Sequence, residues 1–145
     1  DLRKSSNIEI GAGSTDMNVD FYGGDFKIDL NEPELDEMGE HLILDVYDGY
    51  FDDLNSPNFL RDIFTRAILK SEMTILNEYT HKFSPCGVTC LFALAESHVS
   101  CHTWPEFGRM NADFFTCGEK DPRISAKYII NALESEKYRI RVIKR

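Results

Sequence analysis

Hydrophobic and polar residues alternate through HLILDVYDGY, His41 to Tyr50. Leu42, Leu44 and Val46 fall on one side and His41, Ile43 and Asp45 on the other, a period of two that predicts a strand. FDDLNSPN breaks the pattern. Ser56-Pro57 then opens a helix, with serine as cap and proline in the first turn. Phe59, Leu60, Ile63, Phe64, Ala67 and Ile68 recur at helical spacing, so residues 57–71 are expected to bury one stripe. From Met73 the period returns to two, and MTILNEYTHKF reads as a strand with Ile75 and Tyr79 among its packing residues. Pro85-Cys86-Gly87 is a turn. VTCLFALAE, Val88 to Glu96, is apolar on both faces, as a central strand is. HVSCHTW continues the extended pattern, Pro105 and Gly108 turn the chain, and MNADFFTC is a further strand. Asp121-Pro122 repeats the cap-and-proline start of a second helix, with Ile124, Tyr128, Ala132 and Leu133 as its expected buried stripe. KYRIRVIK closes the chain as an alternating edge strand whose outward Lys and Arg discourage edge-to-edge pairing.

From Gly39 the order is therefore β-α-β-β-β-β-α-β. Two helices cannot cover both faces of such a sheet. The expected class is α/β (α+β), a two-layer sandwich with both helices on one face of a largely antiparallel sheet. The other face needs water or a partner, and a homodimer through it is the natural expectation. Residues 1–38 read differently. SSNIEIGAGSTD has no period, VDFYGGDFKIDL allows a short hairpin around Gly23-Gly24, and NEPELDEMGE is an acidic linker. The reading is an acidic arm over 1–38 and a domain over 39–145.

Charge sharpens this division. Residues 1–53 hold 15 Asp and Glu against 3 Lys and Arg, and the whole chain carries −9. Such a field repels phosphates, which argues against nucleic acid or an acidic membrane surface as partner. No apolar run approaches the ~18 residues of a membrane span. Cys86, Cys90, Cys101 and Cys117 are read as free thiols in a reducing, cytoplasmic setting.

Candidate chemistry gathers in ESHVSCHTWPEFG, Glu96 to Gly108. Three readings compete. His98 with His102, and Cys86 with Cys90, have spacings that suit a metal on a helix. Four residues of strand separate α-carbons by ~13 Å, so no metal site is expected. Cys117 with His102 or His98 supplies the ingredients of a thiolate nucleophile. Third, Ser97 is placed to attack the carbonyl of Glu96, converting the amide to an ester. Elimination then leaves dehydroalanine, which hydrolyses to a pyruvoyl group and ammonia. This route needs a strained or well-positioned peptide, an oxyanion donor and a base.

The same residues carry a resemblance. Glu96-Ser97-His98, then His102-Thr103-Trp104-Pro105-Glu106, then Phe115-Thr116-Cys117-Gly118, with GEHLILDVY at the start, closely resemble the blocks of the prokaryotic S-adenosylmethionine decarboxylase proenzymes, in the same order, from about Gly39 to Arg145. The resemblance implies cleavage between Glu96 and Ser97 and a pyruvoyl cofactor derived from Ser97, which takes the substrate amine as a Schiff base. It implies a homodimer of cleaved protomers acting on S-adenosylmethionine to make the aminopropyl donor for polyamine (spermidine) synthesis. It gives His102 the role of processing base and Cys117 that of proton donor to the substrate carbon. Phe83 and Trp104 become the holders of the adenine, and Glu106 the acceptor for the ribose hydroxyls. Thr89 stands where the family usually has a serine that assists processing, and Cys86 where it usually has a tyrosine.

Two alternatives accompany this reading. One keeps the pyruvoyl chemistry and changes the substrate to arginine or ornithine. The other is an unprocessed, non-enzymatic homologue. By strand alternation His98, Ser100 and His102 share one face and Ser97 points to the other. A bend or bulge near Ser97 is therefore expected if His102 is to reach it.

Overall fold

Leu42, Leu44 and Val46 are completely buried and sit on one face of strand β1, Gly39–Val46. The chain then makes a single helical turn, α1 (Phe51–Leu54), and enters α2 (Pro57–Lys70), where the Ser56 hydroxyl accepts from the Phe59 N–H at 3.2 Å as the N-cap. Strands β2 (Ile75–Lys82), β3 (Val88–Leu94), β4 (Ser97–Trp104) and β5 (Arg109–Cys117) follow as a meander. A 3-10 turn, Pro105–Phe107, joins β4 to β5. Helix α3 (Pro122–Ala132), capped by Asp121, and strand β6 (Tyr138–Lys144) complete the chain. The computed structural model describes residues 37–145. The hairpin and linker expected within 1–36 lie outside those residues.

The six strands form one sheet in the order β2-β3-β4-β5-β1-β6, and every pair is antiparallel. β1 is thus inserted between β5 and β6 rather than beside its sequence neighbour. Alternate residues of the central strands, namely Val88, Cys90, Phe92 and Leu94, then Val99 and Cys101, then Met110, Ala112 and Phe114, point to the helices and are buried. Both α2 and α3 pack on that face, and among the described residues no element covers the opposite, open face. The architecture is the two-layer sandwich that the periodicities predict.

Phe64 of α2 is the centre of the core. Its ring stacks on Phe92 of β3 (centroids 6.3 Å, 18° between planes) and on Phe114 of β5 (6.1 Å, 15°), so one side chain joins the helix layer to both strands flanking β4. The two helices meet through a buried polar contact. Ser125 Oγ donates to the Ala67 carbonyl at 2.8 Å, which leaves Ser71 Oγ to donate to Ser125 Oγ at 2.6 Å.

Two expected packing stripes are corrected. Tyr79 is 59% exposed. It lies on the edge strand β2, on the open face beside Leu91 of β3, so no helix covers it. In α3 the buried residues are Pro122, Ser125, Ala126, Ile129 and Ile130, with Leu133 at its C-cap; Tyr128 and Ala132 pack partly buried against the core as expected, whereas Ile124 is exposed. The Ser125 hydrogen bonds turn the helix about one residue from the purely apolar stripe. Strand β6 is an edge strand, as expected, and its Arg139 and Arg141 approach the buried Asp45 at 3.2 and 3.6 Å. No described helix is long and apolar enough to cross a membrane.

Because Phe64 bridges two strands across the core, Phe64→Ala should lower unfolding free energy by about 3–5 kcal/mol. Phe64→Leu should lower it by clearly less. Urea denaturation of both variants at neutral pH measures the difference.

Candidate active site

A two-residue turn, Ala95-Glu96, links β3 to β4, and Ser97 is the first residue of the new strand, paired with Leu94 and Thr116. Ser97 has φ of 133°, a value that residues with a β-carbon rarely adopt and that stores conformational energy at this peptide. The flanking glutamate is fixed at both ends. The Thr74 N–H donates to its carboxylate at 3.0 Å, and the Cys117 N–H donates to its main-chain carbonyl at 2.8 Å. The Glu96–Ser97 bond is therefore held with a donor already on the carbonyl oxygen where negative charge would collect during attack. Cys117 ends β5 beside it with an exposed side chain, opposite Gly39 of β1. A β-carbon at Gly39 would collide with the Thr116 carbonyl, so only glycine lets β1 run so close here.

A second cluster lies at the other end of the same strands. Thr89 of β3 pairs with His102 of β4, and Thr89 Oγ1 is 2.8 Å from His102 Nδ1. With the ring proton on Nδ1, Thr89 accepts it and His102 Nε2 is bare and free to act as a base. Trp104 and Phe83 are partly exposed at this end, and Glu106 follows in the 3-10 turn. Thr103 pins the arrangement from below. Its buried hydroxyl donates to the Leu54 carbonyl at 2.7 Å and accepts from the Val88 N–H at 2.9 Å. Gly108, at φ 63°, lets the turn close against Gly49, whose N–H donates to the Gly108 carbonyl at 2.9 Å. The turn after β2 is closed by Phe83 N–H to the Gly87 carbonyl at 2.8 Å, and it aims Cys86 Sγ at a Glu106 carboxylate oxygen 3.1 Å away. That hydrogen bond to a carboxylate, with some burial, pushes the Cys86 thiol up.

The structure thus brings Ser97, Glu96 and Cys117 together, and separately Thr89, His102, Phe83, Trp104 and Glu106. It does not bring the two groups together within one chain. The irregularity expected near Ser97 is present as the turn and the positive φ, but it lies before the strand. From Ser97 to His102 the register with both neighbours runs without a bulge, and five residues of strand span about 16 Å.

Between the clusters, on the open face, is a group that sequence reading missed. His41 Nε2 and His98 Nε2 approach Asp113 Oδ2 at 2.6 and 3.0 Å, and Ser100 Oγ donates to Asp113 Oδ1. Their ligand atoms lie within 4.8 Å of one another, a spacing open to a metal ion. The tautomer speaks against ligation. Arg145 Nη1 donates to His41 Nδ1 at 3.2 Å, which leaves the proton of a neutral His41 on Nε2, facing Asp113 as a donor rather than a ligand. Asp113 is instead a carboxylate clasped by three donors. Burial raises its pKa, and the hydrogen bonds from Ser100, His41 and His98 outweigh that and hold it below the usual carboxylate range. The four side chains come from three strands, with His41 and Asp113 72 residues apart. Only the alternation of His98 with Ser100 was visible beforehand.

The sign of the pH effect follows. A depressed folded-state pKa contributes stability that is present above the unfolded value and is lost as pH falls through the folded value. Asp113→Asn should cost about 2 kcal/mol near neutrality. The gap between wild type and variant should stay constant down to about pH 5 and close below that, as pH falls through the carboxyl's lowered folded-state value, as followed by thermal unfolding at each pH. A gap that stays constant down the acid limb would show that Asp113 is not held ionised.

Comparison with known proteins agrees with this fold. Residues 40–145 match the family profile described as S-adenosylmethionine decarboxylase. A protein of Bacillus velezensis named S-adenosylmethionine decarboxylase proenzyme is 37% identical over 102 residues, 70% of this chain and 81% of that protein. A protein of the same name from Synechococcus sp. WH7803 is 41% identical over 105 residues, 72% of this chain and 82% of that protein. The crystal structure of the adenosylmethionine decarboxylase from Aquifex aeolicus VF5 superposes with a TM-score of 0.72 at 29% identity, over 77% of this chain and 92% of that one. With a profile that matches residues 40–145, this chain belongs to the S-adenosylmethionine decarboxylase family.

Proposed function

We propose that the chain cuts itself between Glu96 and Ser97 and, as a homodimer, decarboxylates S-adenosylmethionine with a pyruvoyl group formed from Ser97. The observation that carries this reading is the Glu96–Ser97 peptide itself, with φ of 133° at Ser97 and the Cys117 N–H on the Glu96 carbonyl. In the cut, Ser97 Oγ attacks the Glu96 carbonyl carbon, the C–N bond breaks and an ester forms. The Cys117 N–H stabilises the oxyanion on the way. Removal of the Ser97 α-proton then expels Glu96 as a free carboxylate and leaves dehydroalanine, which takes up water and releases ammonia.

The base for that proton cannot be His102 of the same chain, about 16 Å along the strand. It is the partner's His102. The open face supports this arrangement. It carries Leu91 and Trp104, each 42% exposed, with no helix over them among the described residues. Two copies joined there with strands reversed place the Thr89–His102 end of one over the Ser97–Cys117 end of the other. The site is incomplete in one protomer and whole in two. Thr89 orients the histidine through Nδ1, and its added methyl, compared with serine, restricts how it turns.

The pyruvoyl group fits residue 97 because the serine, the strained peptide and the oxyanion donor needed to make it are present. When formed, it supplies a carbonyl that draws off the electrons left when carbon dioxide departs, the task pyridoxal phosphate performs elsewhere. The chain supplies the rest. Phe83 and Trp104 offer flat faces to the adenine and to the sulfonium charge. Glu106 accepts from the ribose hydroxyls. Cys117 returns a proton to the substrate carbon. The product is an aminopropyl donor for polyamine synthesis in the cytoplasm. Arginine or ornithine as substrate is not favoured, since a small amino acid has no use for a purine clamp, and carbon dioxide release from each candidate separates the cases.

Mass spectrometry of the purified protein should show two chains divided at residues 96 and 97, and Ser97→Ala should stay whole. A wild-type chain that remains uncut under all conditions defeats the proposal. The composite site has its own test. His102→Ala alone should cut at least a hundredfold more slowly, a loss typical of removing a positioned base. Co-expressed with Ser97→Ala, the His102→Ala chain should be cut, because its partner carries the histidine. No rescue in verified mixed dimers would show that the base acts within its own chain or is another residue.

A further inference from the structure

The cut creates a problem that the Asp113 cluster is built to solve. In the uncut chain residue 97 is held from both sides. On its N-terminal side the anchors are the Thr74 N–H on the Glu96 carboxylate and the Cys117 N–H on the Glu96 carbonyl. Once the bond is broken, both hold Glu96, the end of the other fragment, and neither holds residue 97. Residue 97 becomes the first residue of a strand, where chains ordinarily fray, yet it must present its reactive carbonyl in one place. The next side chain is His98, and it is tied down. Its Nε2 donates to Asp113 Oδ2 at 3.0 Å. Asp113 is fixed in turn by Ser100 on one oxygen and His41 on the other, and His41 by Arg145. The His41 ring stands edge-on to His98 (5.8 Å, 89°), and Phe115 packs against both.

We propose that His98 and Asp113 are positioning residues that hold residue 97 in its working place after the chain is cut. The clamp joins β4 to β5 and β1, so it grips the new terminus from the side that cleavage leaves intact. It rests on the reading that the chain cuts at 96/97, and it adds a role for groups that neither the cut nor the decarboxylation itself consumes. Asp113 suits the task because three donors keep it charged, and because it belongs to β5, the strand that also ends in Cys117.

The test compares His98→Ala, His98→Gln and Asp113→Asn with wild type. Cutting is followed by mass spectrometry, and kcat is expressed per pyruvoyl-bearing chain. Before the cut residue 97 has its other anchors, so His98→Ala should be cut to the wild-type extent. Afterwards its kcat should fall about tenfold, the scale of a small misplacement of a reacting group, with KM within twofold. Glutamine places an N–H donor near the Nε2 position, so His98→Gln should recover to within about threefold of wild type. Asp113→Asn should reproduce the loss in kcat, and it decides the matter if His98→Ala does not fold. A wild-type kcat per pyruvoyl in both His98→Ala and Asp113→Asn overturns the proposal, as does a defect confined to the extent of cutting. These results leave the decarboxylase reading standing. A wild-type chain that neither cuts nor releases carbon dioxide removes that reading, and the clamp with it.

Discussion

The constraint on which everything else depends is the unbroken register of β4 between β3 and β5. Ser97 pairs with Leu94 and Thr116, His102 with Thr89 and Asn111, and nothing between them slips. A strand so held is a ruler. It fixes the distance between the Glu96–Ser97 bond and the His102 imidazole at about 16 Å. Register is strict because one face is buried. Val99 and Cys101 are core residues, and a slip of one would turn them outward and bring His98 and His102 in. Packing against Phe64 through Phe92 and Phe114, on either side of β4, thus enforces a separation that one chain cannot close.

The same ruler explains why one cluster of candidate residues sits at each end. β-Hairpin turns are where a chain leaves ladder geometry, and both clusters use them. At one end the Ala95-Glu96 turn delivers Ser97 with a backbone angle that a mid-strand residue does not take. At the other, the 3-10 turn with Gly108 and the Phe83–Gly87 closure present Trp104, Glu106 and Cys86. A strand interior offers side chains at fixed spacing, and that is how the middle is used. His98, Ser100 and Asp113 are neighbours on the open face and form a network with His41 of β1.

Much of the fold was legible because its signals are local. The Ser56-Pro57 and Asp121-Pro122 starts, the stripe of α2 and the period of two in β1 each need only a few residues to be read. Where the reading slipped, a tertiary partner decided the matter. α3 turned because Ser125 bonds to Ala67 and Ser71 of the other helix, and a purely apolar stripe gives a serine no weight. Tyr79 went to the open face because β2 is an edge strand with no helix above that side of it. The candidate site residues were legible as types, since Ser97, His102 and Cys117 stand in a recognisable order. Their division into two groups was not, because it depends on strand register and not on sequence distance. His41, Ser100 and Asp113 escaped notice for a related reason. Each is unremarkable alone, and they meet only when β1 is inserted beside β5.

That insertion has a consequence for chemistry. Without a strand on that side, β5 would be an edge strand and Cys117 would have solvent beside it. With β1 placed there, Gly39 lies opposite Cys117, and the Met38 and Gly39 N–H groups both donate to the Arg145 carbonyl at 2.5 and 2.9 Å. The end of β5 is therefore paired on both sides, by β4 and by β1. A Cys117 N–H that serves as an oxyanion donor must not move as charge appears, since a donor that reorients spends part of its stabilisation on doing so. The fold meets that need by making β5 an interior strand up to its last residue. In the proposed dimer this end of the sheet is thus held by its own backbone pairing, and the partner subunit has only side chains to bring.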